Sequence, residues 1–479
     1  MSPNPKQPVH SNDDDSEEES ALVPEGDFSL SEEDIATSHV LAQAIRDGKL
    51  SDESPVALFM DTDRFQNECR ALIEAFPPNT LHGFACKACP IVGLLKLAHE
   101  VGMGGECASE GEVMLCLAAG IPPSHIILDS PCKTDTILRK MLKLGVHMNA
   151  DNLAELERIQ EILEEQTEDE VRNSQLPSIG LRVNPQTGSG TIGMTSTAGM
   201  ANKFGVPLKE EREEIIQAYA KYDFLTGVHV HVGSQGVSPQ QLVDGAKAAT
   251  DLADEINARM SQTSKEQKVT TIDIGGGLSV DYGDQDNSGS STPMISMHQY
   301  ASMLRDQVPN LFSKNYRIIT EFGRRLAAPC GFLATRIQAT KIAGGRKYVI
   351  GHIGADLLMR SVYAPQQWRH PILVHNAEGH CKRESISKTE KVDVAGPLCF
   401  SGDIIAKDRA LPMDTNVGDH LVIRVAGGYT ISIYSRHTSQ LVPAVYGYQG
   451  NHGDLDNQVA FSTLKKAETM EDLVRFWGG

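Results

Sequence analysis

The stretch Thr271-Ile272-Asp273-Ile274-Gly275-Gly276-Gly277 decides the fold, because a short apolar run passes directly into three glycines. A second run, Val228-His229-Val230-His231-Val232, ends in the same way at Gly233-Ser234-Gln235-Gly236. Short apolar runs bounded by turn residues are typical of buried parallel strands. We therefore expect two strands that carry glycine-rich loops at their carboxyl ends.

Comparable apolar runs recur along the first two thirds of the chain, with amphipathic segments such as residues 153–159 between them. They cover residues 56–60, 126–128, 145–148, 179–183 and 317–320. Alternating strands and helices predict an α/β fold of the (β/α)8 TIM-like barrel type, with a doubly wound open sheet as the alternative. Beyond residue 335, runs at 346–350 and 420–425 lie between turn residues and predict antiparallel strands of a C-terminal β-domain.

The sequence predicts four parts. Residues 1–34 form a disordered acidic tail, because residues 13–19 are all acidic except Ser16 and offer nothing to bury. Residues 35–60 form an N-terminal segment that contributes to the β-domain. The barrel covers residues 61–334, and the β-domain covers residues 335–479.

The composition argues against several classes of partner and ligand. The net charge of −19 argues against nucleic acid and anionic membranes as partners. The sequence contains no apolar stretch long enough to span a bilayer and no secretory signal, so we expect a cytoplasmic protein with reduced cysteines. Cys86 and Cys89 have the spacing of a redox motif, but two thiols are too few for a structural zinc site, so no metal is predicted.

Lys87 lies in a largely apolar stretch, His82-Gly83-Phe84-Ala85-Cys86-Lys87-Ala88-Cys89-Pro90. Burial lowers the pKa of a lysine and makes its free amine a nucleophile, which suits a Schiff base with an aldehyde cofactor. The alternative is a lysine at a strand end whose ammonium reaches water.

Three strand ends carry groups that suit an anionic ligand. Backbone N–H groups of residues 275–277, together with the hydroxyl of Ser234, could form a phosphate-binding cup. Arg324 suits a phosphate by its charge and fork geometry, and Glu321 suits a protonated ring nitrogen. A local Glu321–Arg324 ion pair without function is the alternative.

In their order and spacing, these motifs resemble the fold-type III pyridoxal-phosphate decarboxylases, the ornithine/arginine/diaminopimelate decarboxylase group with an alanine-racemase-like fold. Residues 396–412 are most similar to the diaminopimelate decarboxylase branch. The matching segments are residues 84–88, 105–112, 181–185, 203–205, 231–235, 273–277, 321–324, 396–403 and 427–429.

The resemblance implies pyridoxal 5'-phosphate as cofactor, a small amino-acid substrate, and a homodimer with shared active sites. Lys87 would carry the cofactor in Schiff-base linkage, and His231 would stack on its ring. Glu321 would keep the ring nitrogen protonated, so that the ring accepts the electrons left by carbon dioxide. Cys399 of the neighbouring subunit would return a proton to the substrate carbon. The phosphate would be held by Ser234, Gly275, Gly276, Gly277, Arg324 and Tyr429.

The residues expected to contact the substrate differ from the family pattern. Phe400 replaces the usual Asp or Glu after the cysteine, and a phenyl ring cannot form a salt bridge to the distal ammonium of a diamino acid. The resemblance places Asp403 close to the dimer interface. Arg360 and Tyr363 lie in a shortened version of a substrate-binding motif and are possible substrate contacts. An apolar or differently charged amino acid is therefore a plausible substrate.

Two other functions remain open from the sequence. An amino-acid racemase of the same barrel type would need two bases on opposite faces of the substrate, and the Gly-Pro-Leu-Cys motif at residues 396–399 favours decarboxylation. A catalytically inactive homologue that regulates a partner would be expected to lack Lys87 or Cys399, and this sequence has both.

Overall fold

The structure is a computed structural model that describes residues 31–165, 177–261, 268–283, 294–314, 316–382, 388–449 and 458–479. Residues 1–30 of the predicted acidic tail lie outside these ranges. The described chain begins with helix α1 (Glu32–Arg46) and strand β1 (Val56–Asp61). Ser31 caps helix α1, so the helix starts inside the segment that the sequence assigned to the tail.

A closed barrel of parallel strands forms the centre of the molecule. Strand β7 lies beside β6, and the other eight strands form the ring, which closes where β5 pairs with β6 and β10 pairs with β2. The predicted (β/α)8 barrel is thereby confirmed, and the open sheet is excluded. The strands are β2 (Leu81–Ala85), β3 (Gly104–Cys107), β4 (Ile126–Asp129), β5 (His147–Ala150), β6 (Ile179–Asn184), β7 (Val206–Pro207), β8 (Leu225–His229), β9 (Thr271–Asp273) and β10 (Arg317–Thr320).

Helices cover the outside of the barrel, and polar caps fix where several of them begin. Ser238 starts its helix with a capping box to Gln241, and Ser296 does the same with Gln299. The helices after α1 are α2 (Thr62–Ala75), α3 (Val92–Glu100), α4 (Glu110–Ala118), α5 (Asp135–Leu144), α6 (Leu153–Glu164), α7 (Arg212–Lys221), α8 (Pro239–Met260), α9 (Met297–Gln307), α10 (Pro309–Ser313), α11 (Arg324–Ala327), α12 (Met359–Tyr363) and α13 (Met470–Phe476).

The remaining strands form two further sheets, as predicted for a C-terminal β-domain. The first has the order β14-β17-β11-β1-β18-β19, and the second has the order β12-β13-β15-β16. Strand β1 therefore joins the C-terminal strands. The strands are β11 (Gly331–Arg336), β12 (Ala339–Ala343), β13 (Arg346–Ile350), β14 (Ile372–His375), β15 (Thr389–Ala395), β16 (Ile404–Pro412), β17 (His420–Ile423), β18 (Ala444–Gln449) and β19 (Ala460–Lys465).

The ring of parallel strands determines where polar groups can meet. The carboxyl ends of all eight strands open on one face of the barrel, where catalytic residues of this fold are found. The strands themselves are buried, and Phe84, Leu128 and Ile272 have no exposed surface. In the part of the chain that the structure describes, no helix combines the length and the apolar character needed to cross a bilayer.

Candidate active site

Lys87 lies just after β2, in the short 3-10 turn Cys86–Ala88. Its Nζ atom is 2.5 Å from Oε2 of Glu106, which lies at the end of the neighbouring strand β3. The Lys87 side chain is 36% exposed, whereas the Glu106 side chain has no exposed surface. The ammonium is therefore at an open face, and a buried carboxylate fixes its position.

The charge state of Lys87 differs from the expectation based on sequence. Burial acts to lower the lysine pKa, but the negative charges of Glu106 and Glu321 outweigh it and raise the pKa above its ordinary value. The expected lowered pKa is therefore wrong, because the sequence around Lys87 did not reveal which carboxylates face it. Burial in turn raises the pKa of Glu106 to about 8, against the opposing charge of Lys87.

Glu321 follows strand β10 and is fully buried. Its two carboxylate oxygens lie 3.6 Å from Nε2 of His229 and 3.5 Å from Nδ1 of His231. Burial acts to raise the pKa of Glu321, but the charges of His229 and Lys87 and the contacts of both histidines hold it well below its usual range. Glu321 is thus a buried carboxylate that stays ionised.

His229 is the main site residue that the sequence analysis missed. Its imidazole lies between Glu321 and Asp129, with Nδ1 3.6 Å from Oδ1 of Asp129. Arg182 in turn contacts Oδ2 of Asp129 at 2.6 Å. Burial lowers the pKa of His229, but the surrounding carboxylates raise it to about 9. The alternation along residues 228–232 was a usable signal, because it puts His229 and His231 on the same side of the chain.

The three glycines follow β9 at the same face. Gly275 has φ +66° and Gly277 has φ +120°, values that a side chain would strain. The N–H of Gly276 donates to Nδ1 of His231 at 3.3 Å. This backbone therefore lies directly beside the imidazole that faces Glu321.

Arg324 starts helix α11 and contacts residues of both the barrel and the β-domain. Its Nε donates to the hydroxyl of Ser234 at 3.2 Å, and its Nη1 donates to the hydroxyl of Tyr282 at 2.7 Å. Its guanidinium carbon lies 4.1 Å from the ring centroid of Tyr429. The N–H of Tyr429 donates to the carbonyl of Ala88 at 2.8 Å, so Tyr429 is fastened beside the Lys87 turn.

The structure therefore brings together the barrel residues that the sequence proposed. Lys87, Glu321 and His231 lie close to one another, and Ser234, Arg324 and Tyr429 form a second group at the edge of the glycine loop. These residues fit pyridoxal phosphate, because both oxygens of the buried Glu321 carboxylate lack a hydrogen-bond donor in the described chain. An ionised acceptor of this kind suits a protonated ring nitrogen.

The remaining predicted residues lie in the β-domain. Cys399 is exposed, and Phe400 stacks on Tyr363 with ring centroids 6.4 Å apart and contacts His437 edge-on at 5.5 Å. Among the described residues, Cys399 makes no hydrogen bond to the barrel group. Asp403 is buried, and its carboxylate accepts the N–H groups of Ala355 at 2.6 Å and Leu398 at 2.7 Å.

Asp403 thus ties the loop that carries Cys399 and Phe400 to the segment before helix α12. Arg360, in helix α12, packs on the rings of Trp368 and Tyr429 at 4.6 Å from each centroid. It therefore lies near Arg324.

Comparison with known proteins decides the family. Residues 62–328 match the family model described as pyridoxal-dependent decarboxylase, pyridoxal binding domain. The chain belongs to this family. The fold and the enzyme class inferred from the sequence, a pyridoxal-phosphate-dependent decarboxylase, are confirmed by this match.

Several members of the decarboxylase family resemble most of the chain. A diaminopimelate decarboxylase of Methanothermobacter thermautotrophicus is 28% identical over 91% of this chain and 95% of its own length. A diaminopimelate decarboxylase of Pseudomonas aeruginosa is 29% identical over 74% of this chain and 78% of its own length.

Solved structures of decarboxylases have a similar fold. Diaminopimelate decarboxylase of Helicobacter pylori in complex with L-lysine has a TM-score of 0.73 at 26% identity, over 88% of this chain and 96% of that chain. The lysine/ornithine decarboxylase of Vibrio vulnificus complexed with putrescine has a TM-score of 0.66 at 21% identity, over 85% and 96% of the two chains, and shares the fold.

Proposed function

We propose that this protein removes the α-carboxylate of an amino acid, using pyridoxal phosphate bound through Lys87, in the manner of the diaminopimelate decarboxylases. The carrying observation is the buried, ionised Glu321 beside Lys87, with His229 behind it and no hydrogen-bond donor on either carboxylate oxygen in the described chain.

When bound, pyridoxal phosphate supplies a protonated, electron-withdrawing ring that stabilises the carbanion left by decarboxylation. Glu321 holds the proton on the ring nitrogen because its charge favours the protonated form. His231, 14% exposed at the open face, provides a flat surface for the ring. Ser234, the glycine loop, Arg324 and Tyr429 bind the phosphate.

Lys87 must lose a proton before its amine can react. Glu106 is the nearest base, at 2.5 Å, and burial raises its pKa to about 8. The raised pKa makes Glu106 a stronger base than an ordinary carboxylate, so transfer of the Lys87 proton to its ionised form is less unfavourable. We assign Glu106 this role, which the sequence analysis did not foresee.

Cys399 would return a proton to the substrate carbon of a neighbouring subunit. Cys399 is exposed, and Tyr363, whose ring stacks on the adjacent Phe400, is 66% exposed. Exposed aromatic groups of this kind favour an interface with another chain. A homodimer with shared sites accounts for both features.

The substrate side chain would then meet Phe400. In the described chain, the aromatic groups that pack on this ring are Tyr363 and His437. The phenyl ring itself offers a distal ammonium no salt bridge, whereas an apolar or aromatic side chain would bury surface against the rings. We therefore propose a substrate whose distal end is uncharged.

The test is release of carbon dioxide from a panel of L-amino acids by the protein loaded with pyridoxal phosphate, with product stereochemistry followed in parallel. We expect release from at least one member, and loss of release in K87A. The K87A protein should also fail to retain the cofactor covalently after borohydride reduction. Inversion of the substrate without release of carbon dioxide would indicate a racemase instead.

A further inference from the structure

Three cysteine sulfurs meet behind the Lys87 turn, at a place that the proposed reaction does not use. Sγ of Cys116 lies 3.3 Å from Sγ of Cys86 and 3.6 Å from Sγ of Cys107, and the sulfurs of Cys86 and Cys107 are 4.0 Å apart. All three residues lack exposed surface. These three sulfurs form the thiol cluster.

Three different elements supply the thiol cluster. Strands β2 and β3 are neighbours, so Cys86, just after β2, comes beside Cys107 at the end of β3. Cys116 reaches both from helix α4, and a side chain at Gly105 would collide with its sulfur. The sequence analysis expected no metal because it considered only Cys86 and Cys89. The fold instead brings two sulfurs from distant positions to Cys86.

The sulfurs of the thiol cluster find their hydrogen-bond partners almost entirely among themselves. In the part of the chain that the structure describes, their one other partner is the carbonyl of Phe84, 3.7 Å from Sγ of Cys86. The thiols of Cys107 and Cys86 lower the pKa of the Cys116 thiol below its usual value, although burial opposes them. The thiolate is the form of cysteine that binds metals, and the cluster favours one at Cys116.

The kind and number of these ligands indicate which cation would bind. Thiolates select soft ions such as Cu(I) and Zn²⁺. Zinc would need a fourth ligand or a water, but among the described residues no further histidine, cysteine or carboxylate joins the group, and its residues are closed to solvent. Cu(I) is satisfied by three sulfurs. Three sulfurs about 2.3 Å from one ion lie about 4 Å apart, close to the spacing of the cluster.

We propose that Cys86, Cys107 and Cys116 form a closed, three-coordinate site for monovalent copper, which replaces the thiol protons on binding. Closed sites of this kind stabilise a fold, and this one would tie the Lys87 turn to strand β3 and helix α4. Because Cys86 adjoins Lys87 and Cys107 adjoins Glu106, the ion would support the Lys87–Glu106 pair from behind. The inference concerns a separate site and does not rest on the proposed function.

The test measures copper binding by the full-length chain in a C132S/C399S background, which lacks the two exposed thiols. Cu(I) is supplied in the absence of oxygen and titrated against the chelator bicinchoninate, and the X-ray absorption spectrum of copper identifies its ligands. We expect one ion per chain with three sulfur ligands at about 2.3 Å. Copper should also shift the midpoint of urea unfolding to a higher urea concentration.

Single substitutions in this background separate the site from general packing. C116A should weaken copper affinity at least about a hundredfold, because losing a ligand should cost more than the tenfold to hundredfold loss caused by removing a group that only supports a ligand. C107S keeps the size of the side chain and should have the same effect, so it decides the question if C116A does not fold.

C89S is the matched control for these variants. Cys89 is a buried thiol just after the Lys87 turn, but its sulfur contacts the backbone of Ile91 instead of the thiol cluster. The copper affinity of C89S should stay within about twofold of the background protein.

Three results would overturn the inference. If bicinchoninate keeps the copper from the background protein, the three thiols are an ordinary part of the core. Equal copper affinity of C116A and the background protein would place the ion elsewhere. A zinc ion bound by the same three sulfurs and a fourth ligand, with higher affinity than Cu(I), would replace the three-coordinate copper site by a zinc site.

Discussion

Glu321 stays ionised in a fully buried position because a row of charged groups supports it. Arg182 pairs with Asp129, Asp129 faces His229, and His229 faces Glu321. Each charge in the row compensates the next, which reduces the cost of burying them. The last member of the row is therefore an anion at the point where a cofactor cation would lie.

The variant H229Q, studied in the protein freed of cofactor, tests whether this row of charged groups stabilises the fold. The folded-state pKa of His229, about 9, lies above its ordinary value of 6.5. Its stabilising effect is therefore complete below pH 6.5 and is lost as the pH rises through 9. We expect H229Q to reduce the free energy of unfolding by about 3 kcal/mol near pH 6 and by much less near pH 9.5.

Urea unfolding at several pH values measures this difference. H147Q is the control, because burial lowers the pKa of His147 to about 4, so its side chain is uncharged across the same pH range. A deficit of H229Q that is independent of pH would mean that His229 fills space without carrying charge.

Substitution of Phe400 is the most direct test of the proposed substrate preference. In F400E a carboxylate replaces the ring beside Tyr363 and His437, and it can pair with a distal ammonium. We expect kcat/KM for a diamino acid, relative to an apolar amino acid, to rise at least about tenfold. F400L serves as the control, since it keeps the site apolar. Unchanged preference in F400E would place the substrate side chain elsewhere.

At the scale of elements, the ends of neighbouring strands build the site. Strand β8 carries His229 and leads into His231, β9 leads into the glycines, and β10 leads into Glu321. These positions could be predicted from the sequence, because a glycine-rich or polar stretch after an apolar run marks the carboxyl end of a strand.

Contacts between distant elements could not be predicted in the same way. Glu106 faces Lys87 only because β3 lies beside β2, and the sequence near Lys87 gave no sign of it. Arg360 reaches Arg324 across the junction between helix α12 and helix α11. Such pairs depend on which elements become neighbours, and short apolar runs do not specify that.

The carboxylate of Asp403 ties the loop of residues 396–403 to the segment before helix α12. In D403N, one of the oxygens that accept from Ala355 and Leu398 becomes an amide nitrogen that faces an N–H. We expect the free energy of unfolding to fall by about 2 kcal/mol, with a lower kcat because Cys399 loses its support. D414N, whose parent side chain is 59% exposed, should change neither quantity. Full activity in D403N would separate the loop from catalysis.

At the scale of the whole molecule, the proposed homodimer predicts complementation. K87A and C399A lose different halves of a shared site, so a hybrid dimer regains one site with both residues intact. Mixing the two inactive variants in equal amounts and allowing subunit exchange should restore about one quarter of the parental activity. Activity that remains at the level of the separate variants would show that each subunit uses its own Cys399.

Strand β1 lies between β11 and β18, and its residues Leu58, Phe59 and Met60 have no exposed surface. Just beyond it, the hydroxyl of Thr62 donates to the carbonyl of Tyr448, 386 residues later in the chain. During synthesis on the ribosome, this apolar strand emerges before β11 and long before β18, its two partners in the sheet. Nascent chains should therefore need chaperone protection until β18 has been translated.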